Sequence, residues 1–231
     1  MSTVKRTRAE ARVDQIETIK EVSRRLLAEK GVTGLSLREV AREMGLVSSA
    51  LYRYFANRDE LLTALILDAY NDLGDAAQRA ERRSAALSSR RRWHAATRAI
   101  RRWAKAHPHE YALIYGTPVP NYVAPELTIE AATRVSGALA RILSDDWARR
   151  PTRKPVPSAA SLRTCLMVDN VREQLPGVPP DQWVTALTAW TMIFGFINFE
   201  LFGQYVGTVR NADVMFERVM DEVADSLDLG A

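Results

Sequence analysis

The 231-residue chain contains one cysteine and three histidines, which leaves little material for a metal site. A lone Cys165 cannot form an internal disulfide or a cysteine-built zinc site, so the composition is typical of a reducing cytoplasm. His107 and His109 are two apart on a predicted helix, and side chains at that spacing do not share a face. No metal and no cofactor is therefore expected. Cys165 is expected to be a buried, inert thiol, with a redox sensor as the alternative.

The sequence also lacks the short motifs that mark enzymes. It contains no nucleophile elbow, no phosphate-binding glycine loop, no HExxH and no cysteine-based metal spacing, so no catalytic site is predicted. No secretory signal is recognised, and no apolar run is expected to be long enough to span a bilayer, so no membrane partner is expected. Strand-like alternation and internal repeats are absent. The predicted fold class is all-α.

The excess of positive charge lies in the first quarter of the chain. Residues 1–58 hold 12 Lys+Arg against 7 Asp+Glu, whereas residues 59–231 hold 20 against 21. A nucleic-acid-binding segment needs such a basic footprint, because it must meet phosphate groups.

Residues 37–62 have the pattern of two short helices joined by a tight turn. Leu37, Val40 and Met44 form one helical stripe, which begins at the Ser36-x-x-Glu39 capping box and ends at Gly45. In the second helix, Ala50, Leu51, Tyr54 and Phe55 are predicted to point inward, and Val47, Ser48, Ser49, Tyr52 and Arg53 outward. This is the arrangement of a helix-turn-helix, whose second helix enters a DNA major groove. A helical hairpin with a merely solvated polar side has the same spacing.

The segment from Val13 to Leu67 resembles the DNA-binding domain of the tetracycline-repressor (TetR) family of bacterial regulators. The resemblance rests on the helix before Gly31, the Leu37-x-x-Val40-Ala41 run, Gly45, Leu51-Tyr52-Arg53-Tyr54-Phe55, Arg58 and Glu60-Leu61-Leu62. It implies a transcriptional regulator at the bacterial nucleoid, in the cytoplasm. The domain boundaries that we predict are 1–58 for the DNA-binding domain and 59–231 for a ligand-binding and dimerisation domain.

The resemblance implies a set of DNA-binding residues. Ser36, Tyr52, Tyr54 and Arg58 are expected to contact phosphate, and Ser48, Ser49 and Ala50 to face the groove. The full predicted set is Lys5, Arg6, Ser36, Arg38, Val47, Ser48, Ser49, Ala50, Tyr52, Arg53, Tyr54 and Arg58. Lys5 and Arg6 lie in a basic arm that either enters a minor groove or is a solvated tail.

Val47 departs from the family pattern, which has Ser or Thr at this position as the N-cap of the recognition helix. Either Ser48 takes over the cap, or Val47 makes an apolar contact, for example with a thymine methyl group.

Outside this segment, helical periodicity predicts helices at about 12–30, 126–143, 158–175, 181–206 and 211–227, and a surface loop is predicted at 145–157. The helix at 181–206 is apolar nearly all round. A helix of that kind must be buried on every side, so one side is predicted to face its own core and the other a partner chain. Helical spacing is also kept by Trp93, Ala96, Ile100, Trp103 and Ala104, which predicts a helix with arginines on its opposite face. The arginines between Arg79 and Arg102 are predicted to form a solvated face, with a site for an anionic ligand such as an acyl-CoA phosphate as the alternative.

From Trp93 onward the chain is similar to the WHG-type C-terminal domain found in the same family. That similarity implies a homodimer and a small-molecule effector of unknown identity. The effector residues that we predict are Trp103, Tyr111, Tyr115, Met167, Asn170, Trp190, Phe194 and Asn198. The predicted dimer interface consists of Leu162, Leu166, Trp183, Phe196, Phe199, Glu200 and Gly203. Apolar residues of these kinds also suit a plain core, and Glu200 could pair with an arginine across the dimer, meet a cationic ligand or lie at a rim.

These patterns favour a homodimeric repressor that binds a palindromic operator in double-stranded DNA and is released by a small, largely apolar effector. Two alternatives are a regulator without an effector and a helical adaptor that uses the apolar helix to bind a partner protein. Salt-sensitive, sequence-specific DNA binding would separate a regulator from an adaptor.

Overall fold

The structure, a computed structural model, describes residues 7–116, 118–150 and 162–230. All regular elements in these ranges are helices, which confirms the predicted all-α fold. The chain forms two compact units, Met1–Ala69 with His107–Ile129 and Tyr70–Ala106 with Glu130–Ala231. The boundaries thus fall at other points than the predicted 58/59 division, because residues 107–129 pack with the first unit. The predicted arm residues Lys5 and Arg6, and the predicted loop from 151 onward, lie outside the described residues.

The first unit contains three helices that precede α4, the first part of α4, and one later helix. These are α1 (Arg8–Lys30), α2 (Leu37–Glu43), α3 (Ser48–Leu51), α4 (Arg58–Arg83, which continues into the second unit) and α6 (Pro108–Tyr115). Ile19, Leu26, Val40 and Leu51 are fully buried in its core, and each buried aliphatic side chain contributes about 1.5–3 kcal/mol.

The second unit is built from the remaining helices. These are α5 (Ser89–Ala106), α7 (Thr128–Arg149, which begins in the first unit), α8 (Leu162–Cys165), α9 (Val168–Gln174), α10 (Trp183–Leu201) and α11 (Ala212–Ser226). α5, α10 and α11 pack against one another. Trp93 of α5 and Ile193 of α10 are buried, and Phe196 meets Phe216 with ring centroids 5.2 Å apart. This core positions the faces of α5 and α10 that are described below.

Several helix boundaries differ from the predicted ones. α1 begins four residues earlier than expected, because Thr7 and Glu10 form a capping box that was not predicted. α7 continues to Arg149, so residues 145–149 are helical and not part of a surface loop. The predicted helix at 158–175 is divided, within the described residues, into α8 and α9. α10 ends at Leu201, before positive-φ turns at Gly203 and Gly207.

The segment Pro180–Leu201 has 22 residues, and an 18-residue stretch within it has a mean hydropathy of 1.4, so the segment is long and apolar enough to cross a membrane by length and composition alone. The prediction that no segment reaches this length was therefore wrong. Core helices of soluble proteins pass the same test, so this is weak evidence for a membrane span. One side of α10 is buried in the second unit through Ala189, Ile193 and Ile197.

Candidate nucleic-acid interface and ligand cavity

The turn between α2 and α3 is set by Gly45. Its φ of 66° lies in the left-handed region, which glycine adopts without a steric cost. The Gly45 N–H donates to the Arg42 carbonyl at 3.1 Å, and the Leu46 N–H donates to the Ala41 carbonyl at 2.8 Å. These two bonds form a Schellman motif, which ends α2 and redirects the chain into α3. The predicted role of Gly45 is confirmed.

α3 presents one buried side and one open side. Leu51 is fully buried and Phe55 is 6% exposed, whereas Val47 is 72% exposed and Tyr52 51% exposed. Ser49 and Arg53 are exposed, and Ser48 and Ala50 are half-buried. The open side therefore carries small, hydroxyl and basic side chains and no acidic one, which suits close approach to DNA.

Val47 occupies the N-cap position of α3, and no side chain caps this helix. Ser48 is the first residue of the helix, so it does not take over the cap. Val47 is an exposed apolar side chain, so the alternative that stays a prediction is an apolar contact, for example with a thymine methyl group.

The start of α2 is capped by Ser36, whose hydroxyl oxygen accepts the Glu39 N–H at 3.2 Å. The hydroxyl proton of Ser36 remains able to donate to a phosphate oxygen. The carboxylate of Glu39 does not complete the predicted capping box, because Lys30 and Arg42 bind it instead. The hydrogen bond from Lys30, followed by that from Arg42, lowers the pKa of Glu39. Arg38, on the same helix, is exposed.

Arg58 is placed differently from its predicted role at a phosphate. Its Nε donates to the Leu35 carbonyl at 2.8 Å, and its Nη2 donates to the Val32 carbonyl at 2.7 Å. The guanidinium is thus held by main-chain acceptors before α2, and it joins the start of α4 to the segment that precedes the helix-turn-helix.

Tyr54 is half-buried against the core of the first unit, which limits its predicted contact with phosphate. The guanidinium of Arg12 lies 5.3 Å from the centre of its ring, and Arg12 also donates to the Arg53 carbonyl at 3.1 Å. Arg12 was predicted only as the start of a helix, and this contact was not predicted, because nothing in the local pattern relates residues that are 41 apart.

The second unit contains a cavity of about 250 Å³ between α5, α7, α9 and α10. Its lining residues are Trp93, Ser136, Leu139, Ala140, Leu143, Val171, Gln174, Leu175, Ala186, Leu187 and Trp190. None of them is charged, and Ser136 and Gln174 supply the polar side chains. Apolar walls with a few polar groups are typical of a small-molecule site.

Among the predicted effector residues, Trp190 lines this cavity, and Phe194 packs on Trp190 with ring centroids 4.4 Å apart. Tyr111 and Tyr115 belong to the first unit, where their ring centroids are 5.3 Å apart. Burial raises the pKa of the Tyr111 hydroxyl.

The other predicted effector residues do not line the cavity. They are Trp103, which is buried, Asn198, which is half-buried, and Met167 and Asn170, which are exposed. The α7 and α9 walls of the cavity were not predicted, because the spacing of their apolar residues is that of any packed helix.

The arginine face of α5 was predicted to be solvated, but several of its side chains are paired with acidic residues. Arg101 donates from Nε and Nη2 to the two carboxylate oxygens of Glu200 at 2.6 Å each, and Lys105 donates to Glu200 at 3.0 Å. Arg101 also reaches Asp213 of α11 at 2.6 Å. Of the alternatives for Glu200, pairing with an arginine is therefore seen, but within one chain. Burial acts to raise the pKa of Glu200, and the hydrogen bonds from Arg101 and Lys105 outweigh it, so that the pKa is lowered.

Other arginines of α5 also have acidic partners. Arg92 is 2% exposed and forms ion pairs with Glu81 at 2.5 Å and Asp145 at 2.7 Å. Arg98 forms a bidentate ion pair with Glu217, in which Nε donates to one carboxylate oxygen at 2.7 Å and Nη2 to the other at 2.6 Å. The prediction of a solvated arginine face was thus wrong at Arg92 and Arg101, whereas Arg98 is exposed as predicted. Pairing with acidic residues leaves all three poorly placed for an anionic ligand.

The outer side of α10 carries a row of exposed apolar side chains. We call this row the α10 stripe; it consists of Val184, Leu187, Met192, Phe199 and Phe202. Of the predicted interface residues, Phe199 lies in the stripe at 51% exposure, and Gly203, also exposed, follows the helix. Leu162 and Leu166 are half-buried.

Two predicted interface residues, Trp183 and Phe196, are only 2% and 3% exposed. The indole of Trp183 donates to the Val178 carbonyl at 3.0 Å, and Phe196 packs on Phe216. Both face the protomer's own core, so they have no surface to offer a partner.

Cys165 is exposed and not buried, contrary to prediction.

In the described ranges no group of three or more His, Cys, Asp and Glu residues is arranged to hold a metal ion.

Comparison with known proteins relates both halves of the chain to one family. Residues 19–65 match the model of the bacterial regulatory proteins of the tetR family, and residues 93–223 match the tetracyclin repressor-like C-terminal domain. The chain is 42% identical over 201 residues to the HTH-type transcriptional regulators Rv1816 of Mycobacterium tuberculosis and Mb1846 of Mycobacterium bovis, with 83% of each chain covered.

Solved structures agree with these matches. The crystal structure of SCO4313 aligns with a TM-score of 0.77 at 28% identity, covering 95% of this chain and 100% of that one. A Rhodococcus sp. RHA1 protein of unknown function has the same fold, with a TM-score of 0.65 at 24% identity and 92% of each chain covered. Since both halves match, the first of them including the helix-turn-helix, the chain belongs to the TetR family of bacterial transcriptional regulators, as a DNA-binding regulator and not an enzyme.

Proposed function

We propose that the protein is a homodimeric repressor that binds a palindromic operator through α3 and is released by a small, uncharged, largely apolar effector. The open side of α3 is the observation that carries the DNA-binding part of this proposal. Leu51 anchors the helix in the core, while Ser49, Tyr52 and Arg53 remain exposed. A helix held in this way can enter a major groove with its polar side towards the bases.

The α10 stripe supports the homodimer. Two-fold dimers use the same surface on both subunits, and several large exposed apolar side chains on one helix suit a surface that is covered in the assembly. A dimer would place two copies of α3 in successive major grooves, about 34 Å apart.

The cavity in the second unit supports the effector. Because its lining contains no charged side chain, a charged molecule would lose its hydration there without gaining a partner. Ser136 and Gln174 can each donate or accept a hydrogen bond, so they would orient a polar group on an otherwise apolar molecule. We expect the effector to favour a conformation in which the two copies of α3 have the wrong spacing for the operator. It can do so only through a difference in its affinity for the two states.

A reporter gene placed behind the operator tests the repressor and the effector together. The wild-type chain is expected to silence the reporter, and Ser49→Arg is expected to lose this repression, because a long charged side chain replaces a small one in the groove. Screening uncharged apolar compounds should reveal one that restores expression.

The Ala186→Phe variant, which fills the cavity, should continue to repress in the presence of that compound. Activation of the reporter by the wild-type chain would contradict the repressor assignment. A compound that acts equally on Ala186→Phe would show that its site lies elsewhere. If the chain regulated the reporter but no compound acted, the regulator without an effector would be favoured; if it failed to bind DNA, the partner-binding adaptor would be favoured.

A further inference from the structure

We propose that Val47 contacts the 5-methyl group of a thymine in each operator half-site and thereby makes that base pair a specific one. The inference rests on the proposed role of α3 and adds the identity of a base to it.

The structure leaves Val47 without a role in the fold of the first unit. Its side chain is 72% exposed, and the adjacent residue Leu46 is 41% exposed. The residue stands at the N-cap of α3 with extended backbone angles (φ −72°, ψ 142°), and its carbonyl accepts the Ala50 N–H at 2.9 Å, but its side chain provides no cap hydrogen bond to the helix. Ser, Thr, Asp or Asn would stabilise the helix at this position, so valine forgoes a contribution that polar residues make.

The position of Val47 is one from which a side chain reaches base edges. Residues at the N-terminal end of a recognition helix contact bases in the major groove. In that groove the apolar group on a base edge is the methyl of thymine, whereas the other exposed groups are hydrogen-bond donors and acceptors. Val47 is branched at Cβ, so its two methyl groups are held in few rotamers and lose little entropy on contact. An exposed, rigid, apolar side chain at this end of α3 therefore fits a thymine methyl.

Replacement of thymine by uracil tests the contact directly, because uracil lacks the methyl but keeps the same hydrogen-bonding groups. Each thymine of the operator is replaced in turn, symmetrically in both half-sites, and the affinity of the full-length protein is measured. We expect one position at which the replacement weakens binding about fourfold per half-site, as expected for one buried methyl group. For Val47→Ala, the same replacement should have no effect on affinity.

Two further variants separate the contact from effects on the helix. Val47→Ser supplies a hydroxyl cap, so it keeps α3 at least as stable while it removes both methyl groups. It should bind the thymine operator more weakly than the wild type and should not distinguish thymine from uracil. Val123→Ala, which shortens an 87% exposed valine elsewhere in the first unit, should behave as the wild type.

The proposal would be overturned if no uracil replacement changed the affinity of the wild type. It would also be overturned if Val47→Ala remained as sensitive to uracil as the wild type, because another side chain would then contact the methyl. In both cases specific binding to the operator would persist, so the proposed function would stand. Absence of specific binding by the wild type would overturn the proposed function and this inference together.

Discussion

At the scale of single residues, the basic side chains of the first unit divide into those that hold the fold and those that are free to meet DNA. Arg58 donates to the carbonyls of Leu35 and Val32 at 2.8 and 2.7 Å, and so holds the start of α4. Arg53 has an exposed side chain, and its carbonyl accepts the hydrogen bond from Arg12. The two arginines are five residues apart and serve different purposes.

Arg58→Ala is therefore expected to lower the free energy of unfolding by about 1.5–3 kcal/mol, as is usual when hydrogen bonds from a charged group are lost. Urea denaturation checks this. Arg53→Ala is the matched control: it should leave stability unchanged, weaken binding to all DNA and reduce the salt dependence by about one phosphate contact. Unchanged stability of Arg58→Ala together with a reduced salt slope would show a direct phosphate contact.

Much of the α3 surface could be predicted at this scale. Helical periodicity assigned Leu51 and Phe55 to the core and Val47 and Tyr52 to the surface, and their burial agrees. The acceptors of Arg58 could not be predicted, because every residue has a carbonyl group. Only the folded chain shows which of them lie near the guanidinium.

At the scale of elements, α5 is joined to α10 and α11 by ion pairs as well as by apolar packing. Glu200 lies within α10, a strongly apolar helix, and its carboxylate is held by Arg101 and Lys105 of α5. A half-buried carboxylate without such partners would be costly. The pairing therefore explains how the apolar helix can carry a charge at this position.

The lowered pKa of Glu200 gives a pH dependence with a definite sign. A carboxylate whose pKa is lower in the folded chain stabilises the fold above its ordinary value of about 4.5, and this contribution is lost as the pH falls through the folded value. Glu200→Gln should lower the free energy of unfolding by about 1–3 kcal/mol at pH 7. The difference from the wild type should close as the pH falls below about 4.5.

Urea denaturation at a series of pH values between 7 and 3 measures this difference. Glu222→Gln, which changes an exposed carboxylate of α11, should match the wild type throughout. A difference for Glu200→Gln that stayed constant down to pH 3 would contradict the assigned pairing.

The sequence predicted α5 and α10 as helices and identified their apolar positions, since those follow from local periodicity. It did not predict that the basic side of α5 faces acidic residues of later helices. Arg98 and Glu217 are 119 residues apart, and several acidic residues would have been equally good partners by sequence alone. The cavity escaped prediction for a related reason: a void depends on how four helices pack, and no single helix encodes it.

At the scale of the whole molecule, the proposal requires two copies of the chain, because a palindromic operator is read by a two-fold dimer. The α10 stripe is the surface expected to join them. Phe199→Lys should abolish the dimer, because it places a charge within an apolar contact that is desolvated on association.

Sedimentation velocity should then show a monomer for Phe199→Lys and a dimer for the wild type. Val123→Lys, an equally polar change at an exposed valine of the first unit, should remain dimeric. A dimer that persisted in Phe199→Lys would show that the subunits associate through another surface.

Binding of the purified protein to DNA from upstream of its own gene, titrated with salt, tests the central claim most directly. We expect a footprint of two half-sites about one helical turn apart. The logarithm of the affinity should fall linearly with the logarithm of the salt concentration, with a slope of about −0.9 for each phosphate contacted. Specific protection of this kind would establish the operator and the role of α3. Failure to protect this fragment, or any sequence selected from random DNA, would contradict the account.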